Sequence, residues 1–175
     1  MNKNSQKFYL TGPAGKMECV LDEPEGTPVG IALVAHPHPL YGGTMDNKVA
    51  QTLARAFVGL GYVTARFNFR GVGESEGVHD EGRGEVDDME IMLDHMIEQY
   101  PGLPYALSGF SFGTFVQAQL QQRLQRGAWA LQSSEHVRGQ RGLPYSHARG
   151  THERLPLQQP ERLHSDLLPG DGPWR

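Results

Sequence analysis

The run Gly30-Ile31-Ala32-Leu33-Val34-Ala35 contains no polar side chain, and it restricts the fold more than any other stretch of the chain. A strand that is apolar at alternate positions can lie with one face in water. A strand that is apolar at every position must be covered on both faces, which is the situation in a parallel sheet. The segments that follow supply the cover. Asn47 to Leu60 carries Val49, Leu53, Ala56, Phe57 and Leu60 at helical spacing, with Gly59 and Gly61 to end it. Tyr62 to Phe69 reads as a strand. Glu85 to Gln99 reads as a helix with Val86, Met89, Leu93, Met96 and Ile97 on one face, acidic at its start as suits the helix dipole, and stopped by Pro101. Tyr105 to Leu107 is a short strand, and Phe115 to Leu124 a third helix. Ahead of all this, Lys7–Leu10 and Met17–Asp22 flank the turn-rich Thr11–Gly15 and read as a hairpin. Strands that alternate with helices after a hairpin predict a mostly parallel α/β sheet with helices on both faces.

At 175 residues a single domain with a sizeable core is expected. A net charge of −4 leaves no basic footprint for nucleic acid or an anionic membrane surface. The single cysteine, Cys19, rules out an internal disulfide and fits a reducing compartment; mid-strand, with no basic neighbour, it reads as core. The first seven residues are polar and unlike a signal peptide, and no apolar run reaches membrane-spanning length. These features predict a soluble cytoplasmic protein. Met89, Met92 and Met96 read as packing residues of a helix face.

Composition shifts near Arg126. From Gly127 to Arg175 there is no Ile, Phe, Met, Lys or Cys, and Gln, Arg, His, Pro, Gly and Ser dominate. The expected division is therefore a folded part, residues 1–126, and a polar low-complexity tail, residues 127–175, that is disordered or comes from a shifted reading frame.

Each predicted parallel strand runs into a loop of unusual composition. After the first comes His36-Pro37-His38-Pro39-Leu40-Tyr41-Gly42-Gly43, expected to hold no regular structure. After the second comes Arg70-Gly71-Val72-Gly73-Glu74-Ser75-Glu76-Gly77. After the third comes Gly109-Phe110-Ser111-Phe112-Gly113. In a parallel sheet all three loops gather at the carboxyl edge, where α/β sites lie. The last loop places Gly-x-Ser-x-Gly between a strand and a helix, the setting of a nucleophile elbow. The serine there occupies a strained corner, and the two glycines omit the Cβ atoms that would collide where strand and helix approach. The backbone N–H of Phe112, at the start of the helix, would face a developing oxyanion.

Other chemistries fit less well. His36 and His38 lack a third ligand at metal spacing, so no metal is expected, and His36 reads as a residue that holds its loop by bonding to the backbone. In Gly71-Val72-Gly73 the third glycine, Gly77, falls one residue late for a dinucleotide loop, so a tight turn is expected and no cofactor.

Taken together, the three motifs resemble the α/β-hydrolase superfamily, and within it the small bacterial serine hydrolases related to dienelactone hydrolases and short-chain esterases. The likeness covers roughly residues 8 to 125. It implies a three-layer fold ending, in this chain, after the helix that follows the elbow. It also implies that Ser111 is the nucleophile and that the backbone N–H groups of Phe112 and His38 form the oxyanion hole. Gly109, Gly113, His36, Gly42, Gly43, Arg70, Gly71 and Gly73 would support the elbow and loops. A small-molecule ester or related acyl compound would be the substrate.

The family's acid and histidine follow later strands. Here the candidates are Glu135, Glu153, Glu161, Asp166 and Asp171, with His136, His147, His152 and His164. All lie in sequence without strand-like runs, and none is assigned to a triad. The alternative is a non-catalytic binding module or pseudo-enzyme with the same fold. A nucleotide-binding domain is the weakest reading, because no suitable glycine loop follows the first strand. A strand left unpaired beside the elbow would be an aggregation site.

Overall fold

A computed structural model describes residues 5–140, with side chains as far as residue 128. Strands β1 (Ser5–Gly12) and β2 (Gly15–Asp22) form the hairpin. Then come β3 (Gly30–Ala35), α1 (Lys48–Gly59), β4 (Tyr62–Phe67), α2 (Arg83–Gln99), β5 (Tyr105–Gly109) and α3 (Phe112–Gln140). The strands make one sheet in the order β1-β2-β4-β3-β5. The hairpin and the β2–β4 pairing are antiparallel; β3 runs parallel to β4 on one side and to β5 on the other. The carboxyl ends of β3, β4 and β5 therefore share one edge.

The all-apolar β3 is buried along its whole length. Its alternation sends Ile31, Leu33 and Ala35 to the α2/α3 side, where they pack with Val63, Ala65, Phe67, Met89, Leu93, Met96, Val116 and Leu120. Val34 faces the other way, against Ala50 and Ala54 of α1. Full burial of an aliphatic side chain contributes about 2 kcal/mol, so a strand apolar on both faces is stable only between two helical layers. The result is the three-layer arrangement expected from the sequence. Met89, Met92 and Met96 are core, as is Cys19, whose thiol is pushed up to about 12 by burial.

The structure departs from the expected elements in four places. In α1 the face against the sheet is Ala50 and Ala54 with Leu53 and Phe57. Val49 and Leu60 are exposed, because small residues let the helix approach the strands closely. In α2 Ile97 is 38% exposed, while Met92 is buried with the other expected packing residues. The His36–Gly43 loop does contain one turn of 3-10 helix, Pro39–Tyr41. Proline at its start, the His38 ring accepting from the Leu40 N–H, and Gly42 in the left-handed conformation at its end are enough to form it. Finally, α3 begins at Phe112, where the elbow puts the helix start, but runs past Arg126 to Gln140. The alanines and glutamines there have good helix propensity despite their lack of core-forming side chains. Residues 141–175, with His147, His152, His164, Glu153, Glu161, Asp166 and Asp171, lie outside the described residues, as do the side chains of Glu135 and His136. Among the described residues β5 is an end strand of the sheet.

Candidate active site

Ser111 stands at the corner between β5 and α3. It is solvent-exposed, and its φ of 55° is left-handed, one of two such non-glycine residues among those described. That conformation costs an L-residue roughly 1 kcal/mol and persists only where neighbours impose it. The neighbours are identifiable. A Cβ on Gly109 would meet the Gly113 carbonyl, and a Cβ on Gly113 would meet the Ala35 carbonyl at the end of β3. The corner is thus squeezed against the neighbouring strand as well as against itself. The Phe110 N–H donates to the same Ala35 carbonyl at 3.1 Å, fastening the elbow to β3. Within the turn, Gly113 N–H donates to Phe110 and Thr114 N–H to Ser111, while the Thr114 hydroxyl donates back to the Gly109 carbonyl at 2.9 Å.

The loop after β3 is anchored from inside. His36 is fully buried; its Nδ1 lies 2.6 Å from the Pro37 carbonyl and its Nε2 accepts from the Phe69 N–H at 3.0 Å. With both nitrogens committed, the ring is a neutral brace between the loops that leave β3 and β4. Burial lowers its pKa to about 4, against the raising effect of the Pro37 carbonyl. This is the structural role expected for His36, and it leaves no nitrogen free for a metal. The His38 carbonyl accepts from both Tyr41 and Gly43, and Gly43 packs so tightly on Pro37 that no Cβ could be added.

The loop after β4 is equally tied down. Arg70 forms a two-pronged pair with Asp88 of α2, Nε to Oδ2 at 2.9 Å and Nη2 to Oδ1 at 2.7 Å. Gly84 makes room for the guanidinium. Gly71 and Gly73 both have positive φ. Ser75, buried, donates to the Asn68 carbonyl and accepts from the Glu18 N–H, so it closes the turn. Burial would raise the Glu18 carboxyl, but the Glu74 N–H, Lys7 and Asn68 outweigh it and hold the group below the usual range.

The three loops meet. The His38 ring lies 4.7 Å from the ring of Phe112 and 4.9 Å from that of Tyr41, and the Phe69 ring lies 5.7 Å from Phe112 and 4.5 Å from His36. Residues 36, 38, 69, 70, 111 and 112, far apart in sequence, share one edge of the sheet. Three residues that take part were not legible beforehand. Asp88 reads locally only as one of several acids near the start of α2, and nothing in its spacing points to Arg70. Asn68 and His79 carried no local signal.

Comparison with known proteins bears on the family and the fold. A hydrolase family described as serine aminopeptidase, S33, matches residues 40–134, more than half of the chain. The chain belongs to this family of α/β hydrolases. Among solved structures, the chain is similar to an α/β serine hydrolase homologue from Coxiella burnetii, with 42% identity, a TM-score of 0.64, and coverage of 69% of this chain and 57% of the other. It is also similar to a lidless α/β serine hydrolase from Xanthomonas campestris, at 38% identity and TM-score 0.64, over 69% of this chain and 59% of that one. A Rickettsia prowazekii protein named only as uncharacterized protein RP471 is 42% identical over 118 residues, 67% of this chain and 50% of its own length. The chain thus spans about half the length of the curated relative it matches. No helix among its described residues is long and apolar enough to cross a membrane.

Proposed function

We propose that the protein is a serine hydrolase that cleaves an ester or related acyl bond of a small molecule through Ser111. The observation that carries this reading is the left-handed, exposed serine between two glycines that admit no side chain. Backbone strain of this kind persists where the surroundings over-determine it, and it gathers at active sites.

In the reaction the Ser111 oxygen adds to the acyl carbon, the alcohol leaves with a proton, and water later releases the acid. The charge on the acyl oxygen would be met by the backbone N–H groups of Phe112 and His38. Phe112 is the first residue of α3, and the elbow's own bonds leave its N–H unused among the described residues. A donor of this kind contributes about 3 kcal/mol to lowering the barrier. Gly109, Gly113, His36, Gly42, Gly43, Arg70, Gly71 and Gly73 keep the two donors in place. The exposed Tyr41 and Phe110 give the surround an apolar character suited to an acyl group.

A second reading, a binding module with the same fold, is favoured by one observation: among the described residues no imidazole hydrogen-bonds the Ser111 hydroxyl. A fluorophosphonate probe separates the two. Labelling of the full chain that disappears in Ser111→Ala supports hydrolysis; soluble, folded protein that takes no label supports the binding module.

A further inference from the structure

His79 follows the glycine turn after β4 and belongs to none of the three motifs. Its ring packs 4.9 Å from His38 and 5.4 Å from Phe112, which themselves lie 4.7 Å apart, so the three rings form a closed triangle. Two corners of that triangle are the residues whose backbone N–H groups would meet the acyl oxygen. The third comes from a different loop and is held from behind. Glu85, fully buried, accepts from the Asp80 and Gly82 N–H groups at 2.9 Å each, and its Oε1 stands 2.8 Å from His79 Nδ1. Nδ1 thus faces the buried Glu85 carboxylate at ion-pair distance, though the contact does not meet hydrogen-bond geometry.

The Glu85 carboxylate, itself fixed by two backbone N–H groups, holds the imidazole from behind, and the ring faces His38 and Phe112 in front. We propose that His79 is a positioning residue: its ring wedges against His38 and Phe112 and fixes the separation of the two oxyanion donors. The inference rests on the hydrolase reading and adds to it the part that sets donor spacing. His38 sits in a loop with a single 3-10 turn, whereas Phe112 sits at a rigid helix start. Without a third ring between Glu85 and His38, the loop could relax away from the elbow. Donors aimed at a developing charge act only within narrow limits of distance, and misplacement by about 1 Å can cost on the order of a hundredfold in rate.

The test uses the full chain and a fluorophosphonate probe at a series of concentrations, with 15N amide shifts of His38 and Phe112 as a second readout. His79→Ala is expected to lower the maximal labelling rate about tenfold, a partial donor misplacement, while the half-saturating probe concentration and the final labelled fraction stay unchanged. His79→Phe keeps the flat ring and drops the nitrogen; it is expected to restore the rate to within about twofold and the amide shifts to near wild type. Wild-type rates and shifts in His79→Ala, or His79→Phe behaving no better than His79→Ala, would overturn the proposal. If the wild-type chain takes no label, the hydrolase reading fails, and unchanged His38 and Phe112 amides in His79→Ala would still overturn the wedge on its own.

Discussion

His36 Nε2 accepts a hydrogen bond from the backbone N–H of Phe69 at 3.0 Å, so the loop leaving β3 is locked to the chain leaving β4 by a neutral, fully buried imidazole. Protonation would remove the acceptor and place a charge in the core. The folded pKa lies near 4, below the ordinary 6.5, so between those values the unfolded chain binds more protons than the folded one. Stability from this group is complete above pH 6.5 and is lost as pH falls toward 4, by about 3 kcal/mol in total. Urea titrations at pH 7, 5.5 and 4.5 should show that fall. His36→Gln, which can still accept from Phe69, should show less of it. An equal slope in both proteins would place the acid sensitivity elsewhere.

The strain at Ser111 has its own consequence. Ser111→Ala and Ser111→Gly both remove the hydroxyl, but only glycine is at ease at φ 55°. Ser111→Gly should therefore be more stable than Ser111→Ala by about 1 kcal/mol, and neither should take a fluorophosphonate label. Thermal or urea unfolding of the pair decides the point. Equal stability would mean that the corner is not strained.

Glycines of this chain are not equivalent, and unfolding measurements can sort them. Gly113→Ala drives a methyl group into the Ala35 backbone, which has no means of yielding inside the sheet. It should lose more than about 2 kcal/mol, and a substantial share of soluble protein with it. Gly127→Ala lies in α3 with nothing near its Cβ position, and should gain up to about 1 kcal/mol from helix propensity alone. A mild Gly113→Ala would mean that α3 can lift away from β3.

The contrast between those two glycines also says what a sequence can carry. The Gly-x-Ser-x-Gly turn, the all-apolar β3 and the order of strands and helices are local patterns, and each is found where the pattern puts it. Contacts across the sheet are different. Gly113 abuts β3, Ser75 closes a turn onto Glu18, and Asp88 meets Arg70; no spacing along the chain states these, because they depend on which strands become neighbours. The same reason explains α1. Val49 and Leu60 have the right period, but the helix turns its alanines to the sheet because a close approach buries more of β3 than larger side chains would allow. His79 is the extreme case, a residue with no motif whose place is set wholly by three loops arriving at one edge.

The Arg70–Asp88 pair ties the loop after β4 to α2, and its two ends are not equally exposed. Asp88 keeps 1% of its side-chain surface and Arg70 12%. The guanidinium shifts to an even higher pKa through its hydrogen bonds to Asp88, so it keeps its charge. Removing one partner of such a pair leaves an uncompensated charge, at a cost of about 3 kcal/mol. Because Arg70 can swing into solvent and Asp88 cannot, Arg70→Ala should destabilise more than Asp88→Ala: the first strands a buried carboxylate, the second a cation with a route to water. The Asp88 carboxylate also accepts from the Arg70 N–H, at 3.4 Å, so Asp88→Asn retains an acceptor and should fall between wild type and Asp88→Ala. Urea midpoints of the three variants at neutral pH test the order. If Arg70→Ala proves the mildest, the carboxylate is satisfied without the guanidinium, and the loop owes its shape to the glycine turn instead.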